Sequence, residues 1–550
     1  MASHFSKASF KYKDIISKSS RISSPSQSPA LYQLSPQRGH IGTVAKMTVG
    51  EKNLSKENKT ILLVGETGAG KSSLVNTLLN FAMGVKFEDD IWFEIVERET
   101  RSQAESQTSD VIVYEIFDFK ENVLSFSLTI IDTPGYGDTR GLELDVMVGQ
   151  RLFDLFTGHG GVHEINAVGL VMKATENRLS DRLKYIFDSV ISLFGKNLGE
   201  SIVALITYSN GRTPINALQA LDAAKIKCAR NEKNQPIHFL FDNCQNEGRS
   251  RETETALRHS WDLTNRKTKE LMLFTDRIRP QKLITTIEVL HTRIKLAACV
   301  HNLQDRMRLI EMKQQEIKQI QDALKKHAKE MKKNEKFTVD IDEVYKEKET
   351  TRGGIRWLFF SEGALTCMVC QETCHHPCTV ARKPKHCKVI EQGHCIVCTN
   401  RCPASVHVKE NWKYVNKTKK VQKTEEQMKL KYDRNRSEGE KKWSLLENLE
   451  KEMIKLTEEK AMWLEEAYGY VVRLDQIALK VDSLSTHVHL DFLTEKMQEK
   501  GDKEKIQKLQ EMKIRMDKKV PAALRFVYIK IMSAGRGLKD VFYVSGQTGV

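Results

Sequence analysis

Long apolar runs are missing from this chain of 550 residues. No stretch approaches the roughly 20 apolar residues that a membrane-spanning helix requires, and no apolar signal-peptide core is present. A soluble, cytoplasmic protein is the expectation. Acidic residues are nearly absent at the start, where Asp14 is the one acid in the first 50 positions. Residues 1–59 hold ten Lys or Arg against three Asp or Glu, are rich in Ser and show no sustained apolar period, which reads as a disordered basic tail. A transit peptide is the weaker reading, because no amphipathic Arg helix is present. Cysteine is scarce except in one place: eight of the eleven lie between Cys367 and Cys402. In a reducing compartment such a cluster reads as metal ligands before it reads as disulfides.

Length and charge set looser bounds. The chain is too long for one ordinary domain, and three or four units are expected. A formal charge of +15 permits contact with nucleic acid or anionic lipid, although solvated basic surface is the commoner meaning.

The most informative stretch runs from Thr60 to Ser73, T-I-L-L-V-G-E-T-G-A-G-K-S-S. Ile61 to Val64 suit a strand buried on both faces of a parallel sheet. The segment Gly65, Glu66, Thr67, Gly68, Ala69, Gly70, Lys71, Ser72, Ser73 then forms G-x-x-x-x-G-K-S, whose backbone N–H groups can surround phosphates. Lys71 adds charge at the outer phosphates, Ser72 is a Mg²⁺ ligand, and the helix-like run from Ser73 to Leu79 aims its N-terminus at the same anion. Further strands read as Asp110–Phe117, Leu124–Ile131, Ala167–Met172 and Ser201–Thr207, alternating with helical patterns as in a parallel α/β sheet. The strand at Leu124–Ile131 delivers Asp132-Thr133-Pro134-Gly135, a D-x-x-G in which the Asp supports the metal and the Gly N–H senses a γ-phosphate. Lys71, Thr108, Asp132 and Gly135 are therefore the expected catalytic group, with Ser72, Thr108 and Asp132 around Mg²⁺. Thr108 is the switch threonine by its place just before a strand, and Thr100 is the alternative.

Through Gly65 to Ser73, Asp132 to Gly135 and Asn197 to Thr207, residues 60–280 resemble the septin-related GTPases, the group of septins, chloroplast Toc receptors and GIMAP proteins. Beyond that region the chain is similar to large septin-like forms that append a Cys/His segment and coiled coils. The resemblance implies binding of GTP and GDP with Mg²⁺, slow hydrolysis, and dimerisation across the nucleotide. Two departures stand out. The base-recognition motif [N/T]-K-x-D reads Thr207-Tyr208-Ser209-Asn210, and the Asn210 carboxamide offers guanine one acceptor where a carboxylate offers two. Tyr136 follows the D-x-x-G where many small GTPases carry a water-orienting Gln, so fast intrinsic hydrolysis is not expected.

Residues 281–352 read as helical. Leu303, Met307, Ile310, Gln314, Ile317, Gln321, Leu324, Ala328 and Met331 keep a heptad spacing that suits either a coiled coil or a docked helix. Residues 353–412 form the Cys/His segment, with Cys367, Cys370, Cys374, His375, Cys378 and Cys387 followed by Cys395, Cys398, Cys402 and His407. Two C-x2-C knuckles, each with a third Cys four residues on, supply two structural zinc sites, with disulfides or a redox relay as the alternative. The basic loop residues Arg382, Lys383, Lys385 and Lys388 lack an aromatic platform, so nucleic acid is not an expected partner. Residues 413–500 read as a coiled coil with a seam from Leu446 through Leu449, Leu456, Lys460, Trp463, Tyr470 and Leu474 to Val488; an intramolecular hairpin with the earlier helix is the alternative. Residues 501–550 are basic and unassigned. The expectation is a P-loop GTPase domain, a zinc-braced segment and a coiled-coil arm, switching self-association. The rivals are a constitutive nucleotide-binding scaffold, an ATPase and a nucleic-acid-binding zinc protein.

Overall fold

The computed structural model describes residues 11–97, 110–119, 123–136, 142–175, 180–333, 338–351, 363–378, 381, 383–433, 445–481 and 484–515. They divide into two compact units: residues up to 291 with 474–487 and 514–515, and residues 292–473 with 488–513. No helix among them is long and apolar enough to cross a membrane.

The first unit is built on an eight-stranded sheet. Its strands are β1 (Gln37–Ile41), β2 (Val44–Val49), β3 (Asn58–Gly65), β4 (Ile112–Ile116), β5 (Ser127–Asp132), β6 (Ala167–Lys173), β7 (Ile202–Thr207) and β8 (His238–Leu240). The order is β8-β7-β6-β3-β5-β4-β2-β1. β3 lies at the centre, parallel to both β6 and β5. Ile61, Leu62, Leu63 and Val64 are wholly buried, because helices cover both faces of a central parallel strand. The sheet is mixed rather than purely parallel: β4 runs antiparallel to β5, and β1 antiparallel to β2. The helices of this unit include α1 (Lys71–Ala82), α2 (Leu142–Thr157), α3 (Asp181–Ile191), α4 (Ile215–Ala223) and α5 (Glu254–Arg277). α1 buries Leu74, Val75, Leu78, Leu79 and Ala82. α3 begins at Ser180, whose hydroxyl accepts from the Leu183 N–H at 3.1 Å.

The reading of residues 1–59 as a disordered tail is corrected for residues 11–59. β1 and β2 complete the sheet, and Ala30–Gln33 pairs in parallel with Ile91–Glu94. Tyr12 is buried beside Phe93 and donates to the Gly84 carbonyl at 3.0 Å; Leu31 and Leu34 join the same core. These apolar residues are too sparse to show a period. Their partners lie 60 or more positions away, and that distant pairing supplies the order.

The second unit carries most of α6 (Ile284–Lys333), a long antiparallel ribbon and the Cys/His segment. β9 (Thr338–Thr350) pairs residue for residue with Trp412–Thr424, from Thr338 opposite Thr424 to Thr350 opposite Trp412. The assignments of 338–350 to a helical segment and of 413–424 to a coiled coil are therefore corrected. One strand is acidic and the other basic, with Glu343 opposite Lys419 and also reaching Lys423, and Glu347 paired diagonally with Lys417. Opposite charges across a strand pair favour this register. Between the two ribbon strands lie β10 (Gly363–Cys367), β11 (Glu372–Cys378) and β12 (His407–Glu410), in the order β11-β10-β12.

Three further helices close the unit: α7 (Glu425–Asp433), α8 (Leu445–Ile477) and α9 (Leu484–Lys500), followed by α10 (Lys503–Arg515). Ile317 and Ile320 of α6 pack with Val339, Ile341, Met428 and Leu449. Leu456, Trp463, Ala467 and Leu474 are buried as well, so the chain covers much of the apolar seam itself. The seam also fails to run unbroken to Val488. Helix α8 stops at Ile477, and the Leu479 N–H bonds to the Phe194 carbonyl at 2.8 Å.

Candidate functional site

The loop between β3 and α1 is drawn tightly onto its neighbours. Gly65 has φ +152°, and a Cβ there would stand 2.2 Å from the Val171 carbonyl oxygen, which no side chain could accommodate. Lys71, the first residue of α1, is buried and donates to the carbonyls of Gly65 at 3.2 Å and Glu66 at 2.9 Å. Burial pushes its ammonium group down to about 8, while Asp132 and Glu66 act in the opposite direction. Ser72 donates to Asp132 Oδ2 at 2.9 Å, so two of the three expected Mg²⁺ ligands are already neighbours. Both offer hard oxygen donors, which suit Mg²⁺.

Residues 132–136 continue β5 as a brace for this loop. The Tyr136 N–H bonds to the Gly65 carbonyl at 3.0 Å, and the Thr67 N–H bonds to the Tyr136 carbonyl at 3.2 Å. Gly135 lies so close to Thr67 that a Cβ would meet its Cα at 2.3 Å and its nitrogen at 2.5 Å. Thr133 Oγ1 donates to the Leu63 carbonyl at 2.9 Å. Gly65, Glu66, Thr67, Gly68, Ala69, Gly70, Lys71, Ser72, Ser73, Asp132 and Gly135 are thus assembled in one place. Thr108 and Thr100 fall outside the described residues.

The end of β7 reaches the same loop. Thr207 Oγ1 donates to the Ala69 carbonyl at 2.7 Å, a tie that sequence reading missed. Asn210 is exposed, and its Oδ1 accepts the Arg212 N–H at 3.1 Å, a local turn that occupies the acceptor. Tyr208 takes a positive φ of 53° and stays 59% exposed, with Lys173 Nζ 5.9 Å from its ring. Lys173 Nζ also lies 3.8 Å from where a Gly68 Cβ would stand, a second cation at the loop that no motif announced.

The Cys/His segment forms three groups whose ligand atoms lie within 4.8 Å of one another: Cys367, Cys370, Cys398 and Cys402; Cys374, Cys395, Cys398 and His407; and His375, Cys378 and Cys387. All ten expected ligands are used, and each cysteine is a free thiol. The sequence left the pairing of these ligands open, and the structure groups them across the knuckles. Each C-x2-C knuckle does not close on its own third Cys; the first knuckle joins Cys398 and Cys402, while Cys374 crosses to Cys395 and His407. The hairpin that sets β10 beside both β11 and β12 brings these distant ligands together.

Details of the segment fit metal binding. The N–H of Cys370 bonds to Cys367 Sγ at 3.4 Å, those of Val397 and Cys398 to Cys395 Sγ at 3.4 Å, and that of Cys402 to Cys398 Sγ at 3.2 Å. Such bonds stabilise thiolate charge. His407 shares a hydrogen bond between Nδ1 and the Pro403 carbonyl at 2.9 Å, leaving its buried Nε2 without a hydrogen-bond partner. That nitrogen is presented as an acceptor, as a metal ligand requires. Asn302 and Arg306 of α6 hold the segment from outside, Asn302 Nδ2 on the Thr373 carbonyl at 3.2 Å and Arg306 on Glu372 at 2.7 Å.

Comparison with known proteins agrees with the first site. The Septin family model matches residues 56–143. GTP-binding protein A of Dictyostelium discoideum is 27% identical over 162 residues, 30% of this chain and 30% of its own length. The septin homolog spn1 of Schizosaccharomyces pombe is 35% identical over 82 residues, 15% of this chain and 16% of its own length. The chain thus spans less than a third of the length of these curated relatives. Toc33 from Arabidopsis thaliana in complex with GDP and Mg²⁺ is 17% identical, with a TM-score of 0.28 over 41% of this chain and 88% of that one. The first unit has the α/β fold of a P-loop GTPase domain on a mixed sheet, and its residues 56–143 are similar to the Septin family.

Proposed function

We propose that this chain is a guanine-nucleotide-binding protein with slow GTP hydrolysis, whose nucleotide state governs self-association into a dimer or larger assembly. The observation that carries the reading is the preassembled loop, with Lys71 buried against its carbonyls and Ser72 bonded to Asp132. Backbone N–H groups of the loop and the Lys71 ammonium would hold the phosphates. Ser72, Asp132 and Thr108 would hold Mg²⁺, which neutralises phosphate charge, and Gly135 would report the outermost phosphate. Slow turnover is read from Tyr136, which follows the D-x-x-G where many small GTPases carry a water-orienting Gln, and whose backbone is bonded to the loop while its side chain is buried. Self-association through the GTPase domain rests on the resemblance to GTPases that pair across the nucleotide. Much of the helical seam offered for a coiled coil is covered within the chain. The Cys/His segment is a zinc-held structural module, and the protein acts in the cytoplasm.

Nucleotide content of the purified protein, titration with Mg·GTP against Mg·ATP, and turnover measured beside sedimentation in GDP or a non-hydrolysable GTP analogue test the proposal together. Tighter binding of GTP with slow turnover and a nucleotide-dependent mass supports it. Preference for ATP, or an unchanged mass in every nucleotide state, refutes the corresponding part. Binding without turnover identifies a constitutive scaffold.

A further inference from the structure

The crossing of the two knuckles has a consequence for how many ions the segment holds. Cys398 belongs to two of the three ligand groups. Together these two groups contain seven ligands: Cys367, Cys370, Cys374, Cys395, Cys398, Cys402 and His407. Two tetrahedral ions require eight metal–ligand bonds. Seven ligands supply eight bonds when one thiolate bridges, and Cys398 is the ligand placed to do so. The third group, His375, Cys378 and Cys387, shares no member with the other two.

We propose that residues 367–407 hold three zinc ions, two in a cluster that shares the Cys398 thiolate and a third at His375, Cys378 and Cys387. This rests on the zinc reading above and extends it. The spacing fits. Two thiolates on one tetrahedral zinc, each about 2.3 Å from it, stand about 3.8 Å apart. Cys370 and Cys402 are 3.6 Å apart, as are Cys378 and Cys387. His375 Nδ1 lies 3.1 Å from Cys387 Sγ on the same edge.

The charge fits as well. Six thiolates and two Zn²⁺ leave the bridged cluster anionic. The Lys346 ammonium, donating to the Cys370 carbonyl at 2.8 Å, and the Arg306 guanidinium, donating to the Val397 carbonyl at 2.6 Å, stand beside it. The third site, with two thiolates and one imidazole, is neutral. Among the described residues no fourth Cys, His, Asp or Glu joins that group, so one coordination position falls to water or to another donor. A site of this kind releases its ion first.

The test is metal analysis of the full chain, purified under reducing conditions without chelator. Three zinc ions per chain are expected, with one released to a chelator ahead of the other two. Cys387→Ala should hold two. Cobalt exchange reports the bridge without any variant: two Co²⁺ ions sharing a thiolate are spin-coupled, so the fully loaded protein should show the paramagnetic signal of one isolated cobalt. Two ions per chain, or three magnetically independent cobalts, would overturn the proposal while leaving a zinc module in place. A chain without metal would overturn the zinc reading itself.

Discussion

Replacing Gly135 by Ala puts the brace under the phosphate loop to a direct test. The added Cβ would lie 2.3 Å from Thr67 Cα and 2.5 Å from Thr67 N, separations that cannot be met without moving backbone. Overpacking of this kind costs about 1–3 kcal/mol. Relief requires residues 135–136 to part from the loop, which strains or breaks the bonds from Tyr136 N–H to the Gly65 carbonyl and from Thr67 N–H to the Tyr136 carbonyl. Each such bond contributes about 0.5–1.5 kcal/mol net. The loop amides then lose their fixed geometry, and a loss of 1.4 kcal/mol in binding is a factor of about ten. Calorimetric titration with Mg·GDP should show at least that loss, while circular dichroism shows the sheet intact. The double variant Gly135→Ala/Thr67→Ala separates backbone from side chain. It removes the Thr67 hydroxyl, 2.4 Å from the new Cβ, but leaves the contacts to Cα and N. It should remain defective. Parent-like affinity in Gly135→Ala, or full recovery in the double variant, would refute the reasoning.

Other expectations can be measured alongside. Lys71→Ala removes the buried ammonium and with it charge-assisted bonds of about 1.5–3 kcal/mol each, so Mg·GTP affinity should fall at least tenfold in a filter-binding assay while the fold survives. Asn210→Asp restores a second acceptor for guanine and should tighten GTP about tenfold relative to xanthosine triphosphate; equal affinities in parent and variant would remove residue 210 from base recognition. Glu343 concerns stability and pH. Burial raises its carboxyl, but hydrogen bonds and charge from Lys423 and Lys431 outweigh that and hold it at about 2. A depressed carboxylate contributes stability above its ordinary value of 4.5 that is lost as pH falls towards 2. After allowance for solvent screening the contribution is about 1–2 kcal/mol. Urea unfolding of Glu343→Gln should accordingly lose less stability than the parent as pH falls from 4.5 towards 2, the window those two values set.

The legible part of the molecule was the part whose chemistry is local. Thr60 to Ser73 places strand, turn and helix within one stretch, and Asp132 to Gly135 ends a strand that is buried throughout. Both motifs carry their own context, so the site could be read before the sheet was known. The strands at 37–49 could not, because Ile41 and Val44 become core only through the sheet that receives them. The ribbon was hidden differently. Its Lys and Glu residues suit a helix surface as well as a strand, and only the match of an acidic strand to a basic one 70 residues on decides between them. The ten Cys and His residues that gather in the three groups were all identifiable by type and spacing. Their partition was not, since proximity in sequence favours closing each knuckle on itself, while β10 pairs with both β11 and β12 and forces the exchange.

The pairing of Thr350 with Trp412 also bears on how the segment between them folds. A chain of about sixty residues whose ends are free surrenders on the order of 3–4 kcal/mol of entropy when they are brought together. A charge-matched hairpin that zippers first would close the loop without any contribution from the side chains inside it. Thiols at 367 and 402 then search a confined volume instead of a coil's full extent. Assembly in this order would make the hairpin a folding clamp, and weakening its pairing from the end at Thr338 and Thr424 should slow assembly of the Cys/His segment without changing any of its Cys or His residues.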